Sequence, residues 1–387
     1  MAANLPVAGV RPRAERRSHP AVDEELRRLV EAGETGIQVA AVVDGRLRID
    51  AWAGRTSEGG GLVDGETLFP VFSVSKAVTA TALHVQAERG LVEYDAPLAR
   101  YWPEYGAHGK DGITVGHVLS HRAGVPQMPD GVSPEIICDW PEMTRRLADL
   151  EPLFPAGARN TYLSMTFGWL LGEVVRRTDP RRRPFGRFVR EEVCAPLGMH
   201  DFYLGVPESE QSRVATLTFP ERPPCPPAGS LVRRAVPPAV GLDPDVFNRP
   251  EVRRACVPAV GGIGNARSVA RLFAMLAGGG SLNGTRLLGE RRVLSFLEPR
   301  PDHLAVDEVY GKPFPVGVGG YWVTAPGVLD TAGREHRVLA HTGAGGSIAW
   351  ADLDTGVAVA VCHNRMVGAT PEPLFARLAD AVRLAVT

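Results

Sequence analysis

The sequence predicts an α+β protein in which both ends of the chain build one antiparallel sheet and a mostly helical part is inserted between them. Three observations carry this. First, IQVAAVV (37–43), Asp44-Gly45 and RLRIDAWAG (46–54) read as two strands joined by a tight hairpin turn. Second, the last third of the chain returns to strand-like runs: VGVGGYWV, RVLAHTG, GSIAWADL and GVAVAVCHN. Third, the stretch between is dominated by helical periodicity. Such an arrangement places a sheet under terminal helices and leaves a crevice against the inserted part, where a site is expected.

Each element has its own signal. Val22, Leu26, Leu29 and Val30 form one stripe of a helix over residues 20–32, with Pro20 at its start and Gly33 at its stop. A polar, Gly-rich loop (55–66) leads to LFPVF and a helix from about 73 to 89, closed by Gly90. Thr114 caps a helix through His121; Phe167, Leu170, Leu171, Val174 and Val175 mark another; Pro184 opens a third. Residues 219–258 hold ten prolines, too many for a long helix or a central strand, and read as an irregular excursion of the lid or binding-wall kind. Asn265 caps ARSVARLFAML, which ends at Gly278-Gly279-Gly280, and Pro371 opens a closing helix. The expected partition is a sheet domain from 1–90 and 256–387 and a mainly helical domain from 91–255.

Composition excludes several classes. The 387 residues are 44% hydrophobic and 22% charged with a formal charge of -1, so neither nucleic acid nor an anionic membrane is an expected partner. No apolar run reaches the length of a membrane span, and the start of the chain lacks the apolar core of a secretion signal; a cytoplasmic location is expected. The five cysteines (Cys138, Cys194, Cys225, Cys256 and Cys362) are odd in number and widely spaced. That pattern suits reduced, buried thiols and neither disulfides nor zinc. His117 and His121 are four apart on the predicted helix but lack a third ligand, so no metal and no organic cofactor is expected.

Lysine occurs only at Lys76, Lys110 and Lys312. Lys76 ends Ser73-Val74-Ser75-Lys76, where spacing of three puts the Ser73 hydroxyl and the amine on one helical face. A hydroxyl becomes a nucleophile beside a base, and a buried lysine at a helix N-terminus is biased towards its neutral, basic form. Alone, the tetrapeptide fits a capping serine and a surface lysine equally well. Ser75 is a rival nucleophile that faces elsewhere. Tyr162, in Asn160-Thr161-Tyr162-Leu163-Ser164, can relay a proton if it meets that pair. His341-Thr342-Gly343-Ala344-Gly345-Gly346 follows a predicted strand, and its glycines suit close backbone approach. The Ala344 N–H is the best candidate to complete an oxyanion hole with that of Ser73.

Together, Ser-x-x-Lys, Tyr-x-Ser and His-Thr-Gly in this order resemble the signature of the penicillin-recognising serine hydrolases. The likeness is greatest to the class C β-lactamase branch and its family VIII carboxylesterase relatives. Supporting stretches are LFPVFSVSKAVTATAL, HVLSHRAGVP, PAGARNTY, APLGMHDFY and PAVGGIGNARSVARL, and they extend the resemblance over roughly residues 20–385. It implies a β-lactamase/transpeptidase-like fold. It implies Ser73 as acyl-enzyme nucleophile, Lys76 as its proton partner and Tyr162 as general base and acid. Ser164, His341, Thr342, Gly343 and Trp322 are the implied substrate-binding positions.

Two departures from class C enzymes stand out: Ser164 replaces an Asn that grips amide side chains, and His341 replaces a Lys. Ser164 is too short for the Asn role, and a largely neutral histidine anchors a carboxylate weakly. The expectation is therefore a carboxylesterase acting on a small ester or amide. A transacylase with a second, acceptor substrate shares the chemistry up to the acyl-enzyme. A β-lactamase, a D-Ala-D-Ala peptidase or a non-catalytic sensor are further readings, and the sequence leaves oligomeric state open.

Overall fold

In a computed structural model, residues 15–323, 337–368 and 374–386 are described. Six strands form the main sheet: β1 (Gly36–Val43), β2 (Arg46–Gly54), β6 (Trp322–Val323), β7 (Val338–Thr342), β8 (Ile348–Asp352) and β9 (Val357–His363). Their order is β2-β1-β9-β8-β7-β6, antiparallel throughout, with Ile37 opposite His363 and Val43 opposite Val357. The two ends of the chain thus meet at the β1–β9 pair. Asp44 and Gly45, with φ of 49° and 74°, make the left-handed turn between β1 and β2, a conformation that Asp and Gly adopt most readily.

Alternation along the strands gives the sheet two buried faces. Val39, Val338, Ala340, Trp350 and Val361 pack under α1 (Pro20–Glu31) and the C-terminal helix α5 (Ala376–Val386). Ala40, Leu339, Ala349 and Ala360 face the other way, against α4 (Ala266–Ala277). Asn265 caps α4 by accepting the Ser268 N–H at 2.9 Å. The fully buried Leu272, Phe273 and Leu276 each contribute about 1.5–3 kcal/mol to its docking.

A second, three-stranded sheet, β3-β5-β4, joins Phe69–Phe72, Gly262–Gly264 and Phe202–Leu204. β3 feeds α2 (Ser75–Glu88), a helix buried on every side from Ser75 to Ala87, which packs on α3 (Thr166–Thr178).

Four expectations are corrected. VGVGGYWV is not one strand: only Trp322–Val323 is, because the chain turns at Gly317–Gly320 and brings Val316 back opposite Trp322. The helix capped by Thr114 ends at Leu119, and His121 leaves it with φ of 56°. The Pro-rich 219–258 segment is not wholly irregular; Pro244–Phe247 and Pro250–Arg254 are short helices with proline in the first turn, where no N–H is needed. Cys225 is exposed and Cys138 and Cys256 are half-buried, so only Cys194 and Cys362 are buried thiols; all five are free. Pro371 lies outside the described residues.

Candidate active site

Ser73 sits in the turn between β3 and α2, one residue before the helix N-cap Val74. Phe72, just ahead of it, has φ of 45°, a left-handed conformation that costs a bulky residue about 1–3 kcal/mol. Ser75 and Phe247 hold it there. The Ser75 hydroxyl donates to the Phe72 carbonyl at 2.5 Å and accepts the Gly262 N–H at 2.8 Å, while the Phe247 ring meets the Phe72 ring edge-on at 5.1 Å. Ser75 is therefore spoken for as a brace between β3, α2 and β5. Ser73 keeps its hydroxyl for the cleft.

The Lys76 amine, wholly buried, has three contacts: Ser73 Oγ at 2.9 Å, the Ser164 carbonyl at 2.7 Å and the Ala259 carbonyl at 3.4 Å. Burial alone pushes its pKa well below the ordinary lysine value. A neutral amine carries two N–H donors and one lone pair. The two carbonyls can only accept, so they take the N–H groups and the lone pair is left for the Ser73 hydroxyl proton.

Tyr162 completes the group. Its phenol comes close enough to the Ser73 side chain to interact with it, and the Lys76 Nζ lies 5.1 Å from the centre of its ring. Desolvation holds the phenol protonated by raising its pKa. The ring is clamped between His121, stacked at 4.3 Å, and Phe314, stacked at 4.8 Å. His121 is buried and accepts the Leu163 N–H through Nδ1 at 2.8 Å, so it braces the Tyr162 segment. His117 belongs to a capping box with Thr114. Among the described residues no group of three or more His, Cys, Asp or Glu is placed to hold a metal ion.

The remaining predicted positions fall as follows. Gly343 lies against β3: a Cβ there would stand 2.3 Å from the Val71 carbonyl oxygen, so only glycine permits the approach. Its own N–H closes the turn onto the Ser347 carbonyl at 2.7 Å. Among the described residues the N–H groups of Ser73 and Ala344 have no acceptor. His341 is buried, with its pKa pushed down to about 3 chiefly by desolvation and further by Lys76. Its Nδ1 lies 2.8 Å from the Thr342 carbonyl, an arrangement that puts the ring proton on Nδ1. The ring is tilted against Trp322 at 5.3 Å, and the Trp322 indole is itself almost buried. Thr342 is partly exposed at the end of β7.

Ser164 does not present a free hydroxyl. Its Oγ is 2.8 Å from the Tyr310 hydroxyl, a residue that sequence reasoning did not find. Nor did it find Asp307 and Arg300, both fully buried beside Tyr162. No local pattern marks them, since their contacts reach across more than a hundred residues.

A cavity of about 780 Å³ between Trp102, Trp140 and Phe185 is not lined by Ser73, Lys76 or Tyr162. Its Glu173 and Arg177 already pair with each other.

A serine, a buried lysine and a tyrosine gathered at the head of a buried helix, beside a sheet made from both chain ends, define a β-lactamase-like serine hydrolase. The Beta-lactamase family profile matches residues 22–383, and the chain belongs to that family. It is 31% identical to the Esterase/beta-lactamase LipL of Mycobacterium tuberculosis over 347 residues, 86% of this chain and 77% of that one. Among solved structures it is similar to a family VIII carboxylesterase, with a TM-score of 0.86, 28% identity and 96% and 99% of the two chains covered. A penicillin-binding protein homologue from Caulobacter crescentus superposes with a TM-score of 0.82 at 32% identity, covering 95% and 97%. No described helix is long and apolar enough to cross a membrane.

Proposed function

We propose that the protein is a carboxylesterase that cleaves a small ester through an acyl-enzyme on Ser73. One observation carries the reading: the Lys76 amine, stripped of water and set 2.9 Å from the Ser73 hydroxyl, has its lone pair available as a base. Likeness to an esterase/beta-lactamase and to a family VIII carboxylesterase supports it.

In the proposed mechanism Lys76 accepts the Ser73 proton as Oγ adds to the ester carbonyl. The oxyanion rests on the N–H groups of Ser73 and Ala344. Tyr162, kept protonated by burial, gives its proton to the departing alcohol and is recharged from the Lys76 ammonium. Water then adds to the acyl-enzyme, passing a proton to the same pair, and Oγ leaves as the hydroxyl. The phenol enters the reaction protonated and so serves as the acid, with Lys76 as the base.

The substrate class follows from the neutral surroundings. Buried His341 offers no cation for a substrate carboxylate, and the Ser164 hydroxyl is paired with Tyr310 and cannot replace an amide grip. Both disfavour efficient turnover of β-lactams. The five free thiols, with Cys225 exposed, support a reducing compartment such as the cytoplasm.

The reading is tested with a phosphonate ester and intact-mass detection. One adduct per chain is expected in the wild type and none in Ser73→Ala. Labelling that survives in the variant refutes the assignment.

A further inference from the structure

Two tyrosines of the site hang on one carboxylate. Asp307 is fully buried and uses both of its oxygens. Oδ2 accepts the backbone N–H of Tyr162 at 2.7 Å; Oδ1 accepts those of Val309 at 3.0 Å and Tyr310 at 3.3 Å. The same two residues carry the phenols that meet the serines. Tyr162 reaches the Ser73 side chain, and the Tyr310 hydroxyl lies 2.8 Å from Ser164 Oγ. Ser164 in turn supplies the carbonyl that receives the Lys76 amine at 2.7 Å. One side chain therefore ties together the two chain segments that carry Tyr162 and Tyr310, whose rings lie 5.9 Å apart.

Among the described residues the buried charge has a single cationic neighbour within 4 Å. Arg300, also fully buried, comes within 3.9 Å of Oδ2, while its terminal nitrogens donate to the Ser120 and Phe314 carbonyls and its Nε–H has no acceptor among the described residues. Asp307 thus depends on backbone N–H groups more than on an ion pair. Three such bonds to one carboxylate are more than the local turn at 307–311 requires.

We infer that Asp307 is a positioning residue, which sets the Tyr162 phenol against Ser73 and the Tyr310 phenol against Ser164. The inference rests on the Ser73 acyl-enzyme reading above. An amide at this position keeps the shape but can accept on one oxygen only, turning an N–H donor towards another N–H. Misplacing a proton-transfer group by a fraction of an ångström lowers turnover without altering what the substrate touches.

The experiment compares wild type, Asp307→Asn, Tyr310→Phe and the double variant, with kcat referred to the number of active sites titrated by a phosphonate ester. Asp307→Asn is expected to lower kcat per titrated site by about ten- to a hundredfold while KM moves less than about threefold. Tyr310→Phe is expected to lower it several-fold, and the double variant is expected to be no worse than Asp307→Asn, because both losses run through one element. A purely structural role would reduce the number of titratable sites and leave kcat per site at the wild-type value; that result overturns the inference. Should Asp307→Asn fail to fold, Tyr310→Phe decides, and a wild-type kcat in it overturns the inference. Loss of labelling in Ser73→Ala combined with an unaltered Asp307→Asn rejects this inference alone; labelling retained in Ser73→Ala rejects the reading beneath it.

Discussion

The side-chain nitrogen of Lys76 lies 2.9 Å from the hydroxyl oxygen of Ser73, in a place where desolvation is the only influence that moves its proton affinity. A lysine kept neutral in this way weakens the fold, because the unfolded chain holds a proton that the folded chain gives up. At pH 7 that penalty reaches about 5 kcal/mol if the amine is wholly deprotonated.

Lys76→Met should therefore separate activity from stability. Methionine matches the length of the stem and carries no charge. Set against the about 1–3 kcal/mol lost at each of the Ser164 and Ala259 carbonyls, relief of the deprotonation cost leaves a net change between about 1 kcal/mol lost and about 3 kcal/mol gained. Esterase turnover should fall by about a thousandfold or more, since no other base stands beside Ser73. Thermal unfolding and steady-state kinetics on the same preparation check both halves. A large drop in Tm would show that the amine is charged and paired in the folded protein.

Much of this was legible in the sequence, and what was not has a physical cause. The Asp44-Gly45 hairpin and the Asn265 cap are local signals with local consequences, and both stand where the residues put them. Ser73 and Lys76 were legible because spacing of three fixes their neighbourhood whatever the rest of the chain does. The strand run 316–323 misled because valine and tyrosine carry strand propensity while three interspersed glycines leave the backbone free to turn. Asp307 and Tyr310 were invisible for another reason. Asp307 acts through the backbone N–H of Tyr162, a donor that every residue but proline possesses, across 145 positions. Tertiary contacts of that kind leave no mark in composition or periodicity.

Gly343→Ala tests how tightly the Ala344 backbone is registered against the nucleophile strand. The new methyl group would stand 2.3 Å from the Val71 carbonyl oxygen, and a carbonyl in a buried strand cannot rotate aside. The loop must move instead, and Ala344 moves with it. The expected outcome is a loss of about a hundredfold in kcat, the usual effect of removing one oxyanion donor. Destabilisation of about 1–3 kcal/mol is expected alongside it, the cost of overpacking. Gly368→Ala, where a Cβ meets nothing within 4 Å, serves as the control and should leave both quantities unchanged. Comparable loss of kcat in the two variants would show that the Gly343 contact has no special bearing on the oxyanion.

Stability should fall as the pH drops from 7 to 5. His84 and His341 are pushed down from 6.5 to about 3 by burial, and His121 is lowered by burial as well. A depressed histidine stays neutral in the folded chain while the unfolded chain takes up a proton below about 6.5, so His84 and His341 each lose about 2 kcal/mol of their contribution by pH 5 and His121 acts in the same direction. Asp50 and Asp307 work the other way. Burial raises both to about 6, so the folded chain binds their protons first, and each returns about 1.4 kcal/mol over the same interval. Lys76, whose amine is also held neutral, adds to the histidine side. The carboxylates that arginines hold near 2, such as Asp179 beside Arg183, act only below their ordinary range and do not enter this window. The histidines and Lys76 together outweigh the two aspartates, so the net change is a loss, to be set against the about 5–15 kcal/mol that holds a protein folded. Unfolding by denaturant at pH 7 and pH 5 measures it directly. A protein equally stable or more stable at pH 5 would mean that the buried aspartates, and not the buried imidazoles and Lys76, govern the acid response.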